Sequence, residues 1–281
     1  MVTAPEVYSH IRKVLSNSGI ESAEFEAMCL TEHIFKKKLP QILMGHDTAT
    51  KEQINYTDNL LYRRTQGEPL QYLLGSWEFY GLELFVGKGV LIPRQDTETL
   101  IDTALSLKLP QNAKIVDLCS GSGCIAITMK THFPQASVTA VEISDVAAGY
   151  INKNSELHHA DIDLVMGDVL SPNTAEGFSG ADLILCNPPY LTEKDMNELQ
   201  REVTFEPRLA LYGGEDGLDF YRQIIPIWKK TLKNGGVMAF ETGMGQTADV
   251  AEIFKNNGFI DINIQNDLCG IDRVVTGRNG G

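Results

Sequence analysis

Apolar residues recur every three to four positions through the first 75 residues of the chain. Val7, Ile11, Val14 and Leu15 form one stripe, and Phe25, Met28, Cys29, Ile34 and Phe35 form another, the spacing of one helical face. "NSGIES", "KKKLPQ" and "GHDTAT" interrupt the pattern, and Ser22 ahead of Glu24 and Glu26 supplies an acidic helix start. Leu60, Leu61, Arg63 and Arg64 close a further helix before "QGEPLQYLLG". A small helical bundle over residues 1–75, without strands, is the expectation.

The pattern changes at "SWEFYGLELFVGKGVLIP", residues 76–93, where aromatic and branched residues alternate around Gly81 and the Gly87-Lys88-Gly89 turn. This stretch predicts a β-hairpin connector over 76–92. From residue 93 to the end, strand-like and helix-like segments alternate: "AKIVDLCS", "GCIAITMKTHF", "ASVTAVEIS", "VAAGYINKNSEL", "IDLVMGD" and "ADLILCNPPY". Successive β-α-β units of this kind build a mostly parallel, doubly wound α/β sheet. After the strand "GGVMAFETG" and the helix "QTADVAEIFKNNG", two strands follow with no helix between them. A terminal antiparallel hairpin therefore ends the sheet.

Composition narrows the classes of function. The 281 residues are 43% hydrophobic and 22% charged, ordinary values for a globular protein. No apolar run approaches the roughly 20 residues of a membrane span, and the start "MVTAPEVYSHIRKVL" lacks the basic and apolar blocks of a secretory signal. A cytoplasmic location is expected. The five cysteines form no Cys-x-x-Cys pair, which points to reduced structural thiols and to no metal site. Net charge is −13; residues 1–75 carry eight Lys/Arg against nine Asp/Glu, leaving 16 basic and 28 acidic residues in the remainder. Nucleic-acid enzymes usually carry a basic footprint for phosphates. The larger part of this chain carries the opposite sign, so no direct nucleic-acid substrate is expected.

Two stretches carry chemistry. "IVDLCSGSGCIAI" places Gly121-Ser122-Gly123 between a strand and a helix, where backbone N–H groups can approach a ligand closely. Glu142 ends the next strand about 20 residues on, the position from which a carboxylate accepts hydrogen bonds from ribose hydroxyls. Together they predict an adenosine-type ligand, a nicotinamide dinucleotide or S-adenosylmethionine. Asp168 in "LVMGDVL", placed to meet an adenine amino group, and the helix-less final hairpin favour the methyl donor.

The second stretch is Asn187-Pro188-Pro189-Tyr190, where an apolar strand ends abruptly because prolines have no N–H for a sheet ladder. That strand should lie beside the first strand of the parallel series, at the switch point where ligands bind. Asn187 offers a side-chain acceptor, Pro188 a carbonyl without a competing N–H, and Tyr190 a flat face. The set suits a planar nitrogen carrying two hydrogens, either an amide or a base amine. An amide nitrogen is a poor nucleophile; two acceptors gripping its hydrogens favour pyramidal character in the transition state. No general base is needed before transfer.

At these residues the chain resembles the PrmC/HemK family of release factor glutamine methyltransferases. "GEPLQYLLGSWEFYGLELFV", "GVLIPRQDTETLI", "DLCSGSGCIAI", "NPPY", "EPRLALYGGEDGLDFYR", "ETG" and "DRVVTGR" follow in family order over nearly the whole chain. The resemblance implies a Rossmann-like class I S-adenosylmethionine-dependent methyltransferase domain over 93–281, preceded by a helical domain over 1–75 that docks the release factor. It implies donor contacts from Asp117, Cys119, Ser120, Gly121, Ser122, Gly123, Glu142, Asp168, Val169 and Asn187. Asn187, Pro188, Pro189 and Tyr190 would hold the substrate glutamine amide, with Arg94 lining the same cleft, and Asn187, Pro188 and Tyr190 carrying catalysis. The family commonly has Gly where Cys119 stands and Asp where Glu142 stands. A monomer using S-adenosyl-L-methionine and releasing S-adenosyl-L-homocysteine is expected, acting on the glutamine of a Gly-Gly-Gln motif in release factors. A ribosomal-protein glutamine and a DNA or RNA base amine are the alternative substrates.

Overall fold

A computed structural model describes all 281 residues. The chain divides into two compact units, one of Met1–Ser76 with Gln200–Phe205, the other of Trp77–Leu199 with Glu206–Gly281.

The first unit is helical: α1 (Ala4–Asn17), α2 (Ala23–Phe35), α3 (Leu39–Met44), α4 (Lys51–Thr65) and α5 (Leu70–Leu74). The first stripe read from sequence buries Val7, Ile11 and Leu15, but on α2 the buried face is Ala23, Ala27, Leu30 and Ile34, so of the predicted second stripe only Ile34 is buried and Phe25 is exposed. Thr3 starts α1 with a capping box, its hydroxyl facing the Glu6 amide while the Glu6 carboxylate accepts the Thr3 amide at 2.7 Å. Thr50 and Gln53 repeat the device on α4. Arg64, almost fully buried, donates to both oxygens of the buried Glu26 at 2.6 and 2.8 Å and to Glu202 at 2.5 Å.

The second unit opens with the hairpin β1 (Ser76–Phe79) and β2 (Leu82–Phe85), turning at Tyr80 and Gly81. The glycines at 87 and 89 lie beyond the pairing. They sit against Tyr150 and Val146, whose side chains would collide with an added Cβ, and Gly89 adopts a φ of +95°. They still make the turn read from sequence, Val90 N–H donating to the Gly87 carbonyl at 3.2 Å, and in addition admit these two side chains.

A seven-stranded sheet follows, in the order β5-β4-β3-β6-β7-β9-β8. Its parallel members are β3 (Lys114–Leu118), β4 (Ser137–Glu142), β5 (Asp163–Met166), β6 (Ala181–Cys186) and β7 (Leu232–Glu241). The last two, β8 (Phe259–Asn266) and β9 (Asp272–Asn279), form the antiparallel hairpin expected from sequence, with β9 paired to β7. α6 (Glu98–Ser106), α7 (Cys124–His132), α8 (Asp145–Leu157), α9 (Pro172–Ala175), α10 (Glu193–Asn197), α11 (Asp219–Lys229) and α12 (Thr247–Asn256) complete the unit.

Alternation along the strands feeds two cores. Ile115, Leu183, Leu185 and Ala239 join Leu100, Ile101 and Ile125 on one face, while Val116, Ile184, Cys186 and Met238 meet Tyr221, Ile224 and Trp228 on the other. With both faces covered, all six residues of β6 are buried, which is why its sequence is a continuous apolar run. β6 lies beside β3, so the strand order reverses between them and a crevice opens at their carboxyl ends. No helix is long and apolar enough to cross a membrane.

Candidate active site

A cleft of about 1120 Å³, counting its open mouth, lies at those carboxyl ends. The loop after β3 forms its floor: Cys119, Ser120, Gly121 and Ser122 line it directly. Asp117 and Gly123 do not. Asp117 is fully buried beneath the loop, where its Oδ2 accepts the Ala126 amide at 3.1 Å and its Oδ1 has no partner. Burial pushes this carboxyl up to about 7, with the nearby Glu142 adding to the rise and hydrogen bonds from Ser120 and Ala126 opposing it. Gly123 is the turn that starts α7, its amide donating to the Ser120 carbonyl at 2.8 Å.

Cys119 carries a φ of +59°, the left-handed region that a side chain resists. The sequence reading that glycine would sit more easily there thus meets its backbone reason. Asn154, completely buried on α8, donates to the Ser122 carbonyl at 2.9 Å and exchanges two hydrogen bonds with Phe85 of β2. The hairpin is thereby fastened to the glycine loop, a link that nothing in the sequence signalled.

Glu142 ends β4 and lines the cleft. One carboxylate oxygen accepts Gly121 N–H at 2.8 Å; the other accepts Ile143 and Ser144 N–H at 2.9 and 2.8 Å. Three backbone donors fix the side chain, filling one oxygen and leaving a lone pair on the other, the one bound by Gly121, for a ligand. Asp168 and Val169, after β5, also line the cleft; Asp168 is exposed and caps its own turn through Leu170 N–H at 2.8 Å.

On the far side, Asn187 and Pro189 line the cleft, whereas Pro188 and Tyr190 do not. Pro188 is buried, and Tyr190 packs into the core beneath. Tyr190 is held at its backbone: Gln246 donates to its carbonyl at 3.0 Å, and Gly217, with φ +76°, comes so close that a Cβ would lie 2.3 Å from that oxygen. Gly213 and Gly217 of "YGGEDG" therefore admit this strand end, whereas Gly214 lies against Asp219. Burial drives the Tyr190 phenol well above its usual range, so it stays protonated.

Asn187 Nδ2 donates to Thr97 Oγ at 3.1 Å, committing the amide nitrogen to the protein and leaving the oxygen for a ligand. Thr97 comes from "IPRQDTE", folded as a 3-10 turn over Gln95–Thr97. Arg94, just before the turn, lines the cleft and forms an ion pair with the buried Glu206. Glu206 also accepts Ile92 N–H at 3.0 Å, tying this segment to "EPRLAL", whose Pro207, Leu209 and Ala210 line the cleft. Thr97 and Glu206 were not singled out from sequence, since each stands in a polar stretch that reads as loop.

A glycine turn after β3, an acid ending the next strand and a reversed final hairpin define this unit as a class I S-adenosylmethionine-dependent methyltransferase. The residues fit that donor: Gly121, with φ +55°, has nothing within 4 Å of where a Cβ would stand, so the loop leaves room for a ligand, and Glu142 presents a fixed acceptor beside it. The chain belongs to the release factor glutamine methyltransferase family. It is 39% identical to the release factor glutamine methyltransferase of Geobacter sulfurreducens over the whole of both chains, and 38% identical to that of Thermodesulfovibrio yellowstonii over 94% of this chain and 95% of the other. Residues 6–75 match the family model "PrmC N-terminal domain" and residues 96–207 match "Methyltransferase small domain". A methyltransferase of known structure from Pyrococcus furiosus, 16% identical, shares the fold with a TM-score of 0.55 over 81% of this chain and 99% of that chain.

Proposed function

We propose that this protein transfers a methyl group from S-adenosylmethionine to the side-chain amide nitrogen of the glutamine in the Gly-Gly-Gln motif of peptide chain release factors. The observation that carries the reading is the Asn187 side chain, whose nitrogen is bound to Thr97 and whose oxygen is left free at the cleft beside the glycine loop. The donor supplies a methyl made electrophilic by its sulfonium charge. Cys119, Ser120, Gly121, Ser122, Glu142, Asp168 and Val169 would hold it, with Asp117 and Gly123 shaping the loop from below.

Asn187 Oδ1 and the Pro188 carbonyl accept the two N–H groups of the substrate amide, which localises its lone pair on nitrogen. Tyr190, neutral and wedged, backs this strand end, and Arg94 borders it. Fixing the amide in reactive orientation is worth up to roughly 7–11 kcal/mol in well-ordered systems. The proton leaves after transfer, when the nitrogen is far more acidic. The helical domain over 1–75 docks the release factor, the protein acts in the cytoplasm as a monomer, and nucleic acid is not its direct substrate.

One assay tests this. Labelled donor is offered with a release factor, with the same factor carrying Gln→Ala in its tripeptide, with total ribosomal protein and with DNA. Label is expected on the unaltered factor alone. Label on the Gln→Ala factor, or only on ribosomal protein or DNA, overturns the assignment.

A further inference from the structure

The strand end at Asn187-Pro188-Pro189-Tyr190 is gripped twice, by side chains from two different turns. At its start, Thr97 Oγ accepts Asn187 Nδ2 at 3.1 Å. At its finish, Gln246 Nε2 donates to the Tyr190 carbonyl at 3.0 Å, while Gln246 Oε1 accepts Gly243 N–H at 3.0 Å. The second bond settles which end of the Gln246 amide faces Tyr190, because only its oxygen can meet the Gly243 N–H. Gly243 stands so close that a Cβ would lie 3.0 Å from the Tyr190 ring. The Asn187 oxygen and the Pro188 carbonyl, assigned above to the substrate amide, belong to the segment that these two grips hold.

Both turns lead back to one side chain. Arg273, the second residue of β9, is 8% exposed. Its Nη2 stands 3.1 Å from Asp96 Oδ2, in the 3-10 turn that ends at Thr97, and 3.3 Å from Asp267 Oδ2, in the turn between β8 and β9. Its Nη1 donates to the Thr242 carbonyl at 3.4 Å, one residue before Gly243. Backbone pairing tightens the same junction: the Thr242 amide and hydroxyl donate to the Arg273 carbonyl at 2.9 and 3.2 Å. Asp267 is itself locked, its Oδ1 accepting Cys269 and Ile271 N–H at 2.9 and 3.0 Å. The guanidinium thus has a fixed base at Asp267 and reaches both gripping turns from it. Because it is planar, with its donors in a rigid fork, its place decides how far apart its partners are held.

We propose that Arg273 is a positioning residue for methyl transfer. By holding the Asp96–Thr97 turn and the Thr242–Gly243 turn at a fixed spacing, it sets Asn187 and the Pro188 carbonyl in register for the substrate amide, an inference that rests on the glutamine-transfer reading above. Neither Arg273 nor Asp96 lines the cleft. The residues assigned to the donor follow β3, β4 and β5, on the other side of the crevice. The effect of Arg273 therefore falls on the rate of transfer and not on donor binding.

The test compares wild type, R273M, D96N, D96E and the R273M/D96N double variant for methyl transfer to a release factor. Rates are normalised to the folded fraction seen by circular dichroism, and donor affinity is measured by calorimetry. R273M keeps the stem and removes the fork; it should lose about 100-fold in kcat with donor affinity within about threefold of wild type. D96N, at a half-exposed position, should lose about fivefold in kcat with an unchanged KM for the release factor. D96E, which restores a carboxylate, should recover to within about twofold of wild type. In the R273M background D96N should cost nothing further, since the pair is already broken. Wild-type kcat in R273M, additive losses in the double variant, equal losses in D96E and D96N, or a D96N defect confined to KM overturns the proposal. Should R273M fail to fold, D96N and D96E decide it. A wild-type protein that leaves the release factor unlabelled defeats the functional reading itself, before any variant is compared.

Discussion

Arg64 and Glu241 are both ionisable side chains taken out of water, in different units, and the fold treats them in opposite ways. Arg64 meets Glu26 twice, Glu202 once and the Glu68 carbonyl at 3.4 Å. Glu241 is more deeply buried and has no bond within reach for either oxygen. Asp117 shares its condition, with one oxygen unpartnered. Structural charges are ordinarily paired, because an unpaired buried one costs several kcal/mol. Both unsatisfied carboxylates stand at the carboxyl ends of parallel strands, β3 and β7, the end of the sheet at which the cleft opens, although neither lines it.

The contrast can be broken at several points. The largest effect is expected from Arg64→Met, which strands Glu26 in the helical core and should cost roughly 3–5 kcal/mol in denaturant unfolding. The double change with Glu26→Leu should recover most of that loss; a single variant as stable as wild type would remove the distinction between the two sites. Asn187→Ala should slow methyl transfer by about 10²–10³-fold with only a modest fall in donor affinity by calorimetry. Complete loss of donor binding would instead move Asn187 to the donor side of the cleft.

Asp117 gives a pH test. Its acid lies near 7 when folded and at 3.8 when unfolded, so the folded chain holds the extra proton between those values. Stability from this group is therefore greatest at low pH and falls as pH rises through the window, the reverse of a salt-bridged carboxylate. Asp117→Asn, which keeps an acceptor for Ala126 N–H, should be more stable than wild type at pH 8 by roughly 2 kcal/mol and equal to it near pH 4. A variant destabilised at pH 8 would show that the charge is needed. The smallest effect belongs to Cys119→Gly: relief of the left-handed φ should raise stability by about 1 kcal/mol in thermal melts, with donor affinity unchanged.

Much of the fold was legible because its strands are covered on both faces and so write themselves as apolar runs, "ADLILC" being the plainest. The loop after β3 and the strand end at Asn187 were legible for a different reason: glycines and prolines remove the usual backbone options and leave few purposes. Thr97, Glu206 and Asn154 were not legible. Each is an ordinary polar residue whose role comes from a partner about 70 to 115 positions away in the chain, and no local pattern announces such a partner. Gly87 and Gly89 were legible as a turn but not as close contacts of Tyr150 and Val146, since a packing glycine leaves no mark in one dimension. Tyr190 was expected at the face of the cleft, but its ring packs into the core and its backbone does the holding.

The helical unit is assembled from two separate stretches of chain, Met1–Ser76 and Gln200–Phe205. Its consequence is one of inheritance. A recombination that moved only codons 1–76 would carry Arg64 away from Glu202 and leave six residues of helical-unit sequence within the second unit. Two stretches joined in one unit but separated by 123 residues of the other do not form a contiguous module.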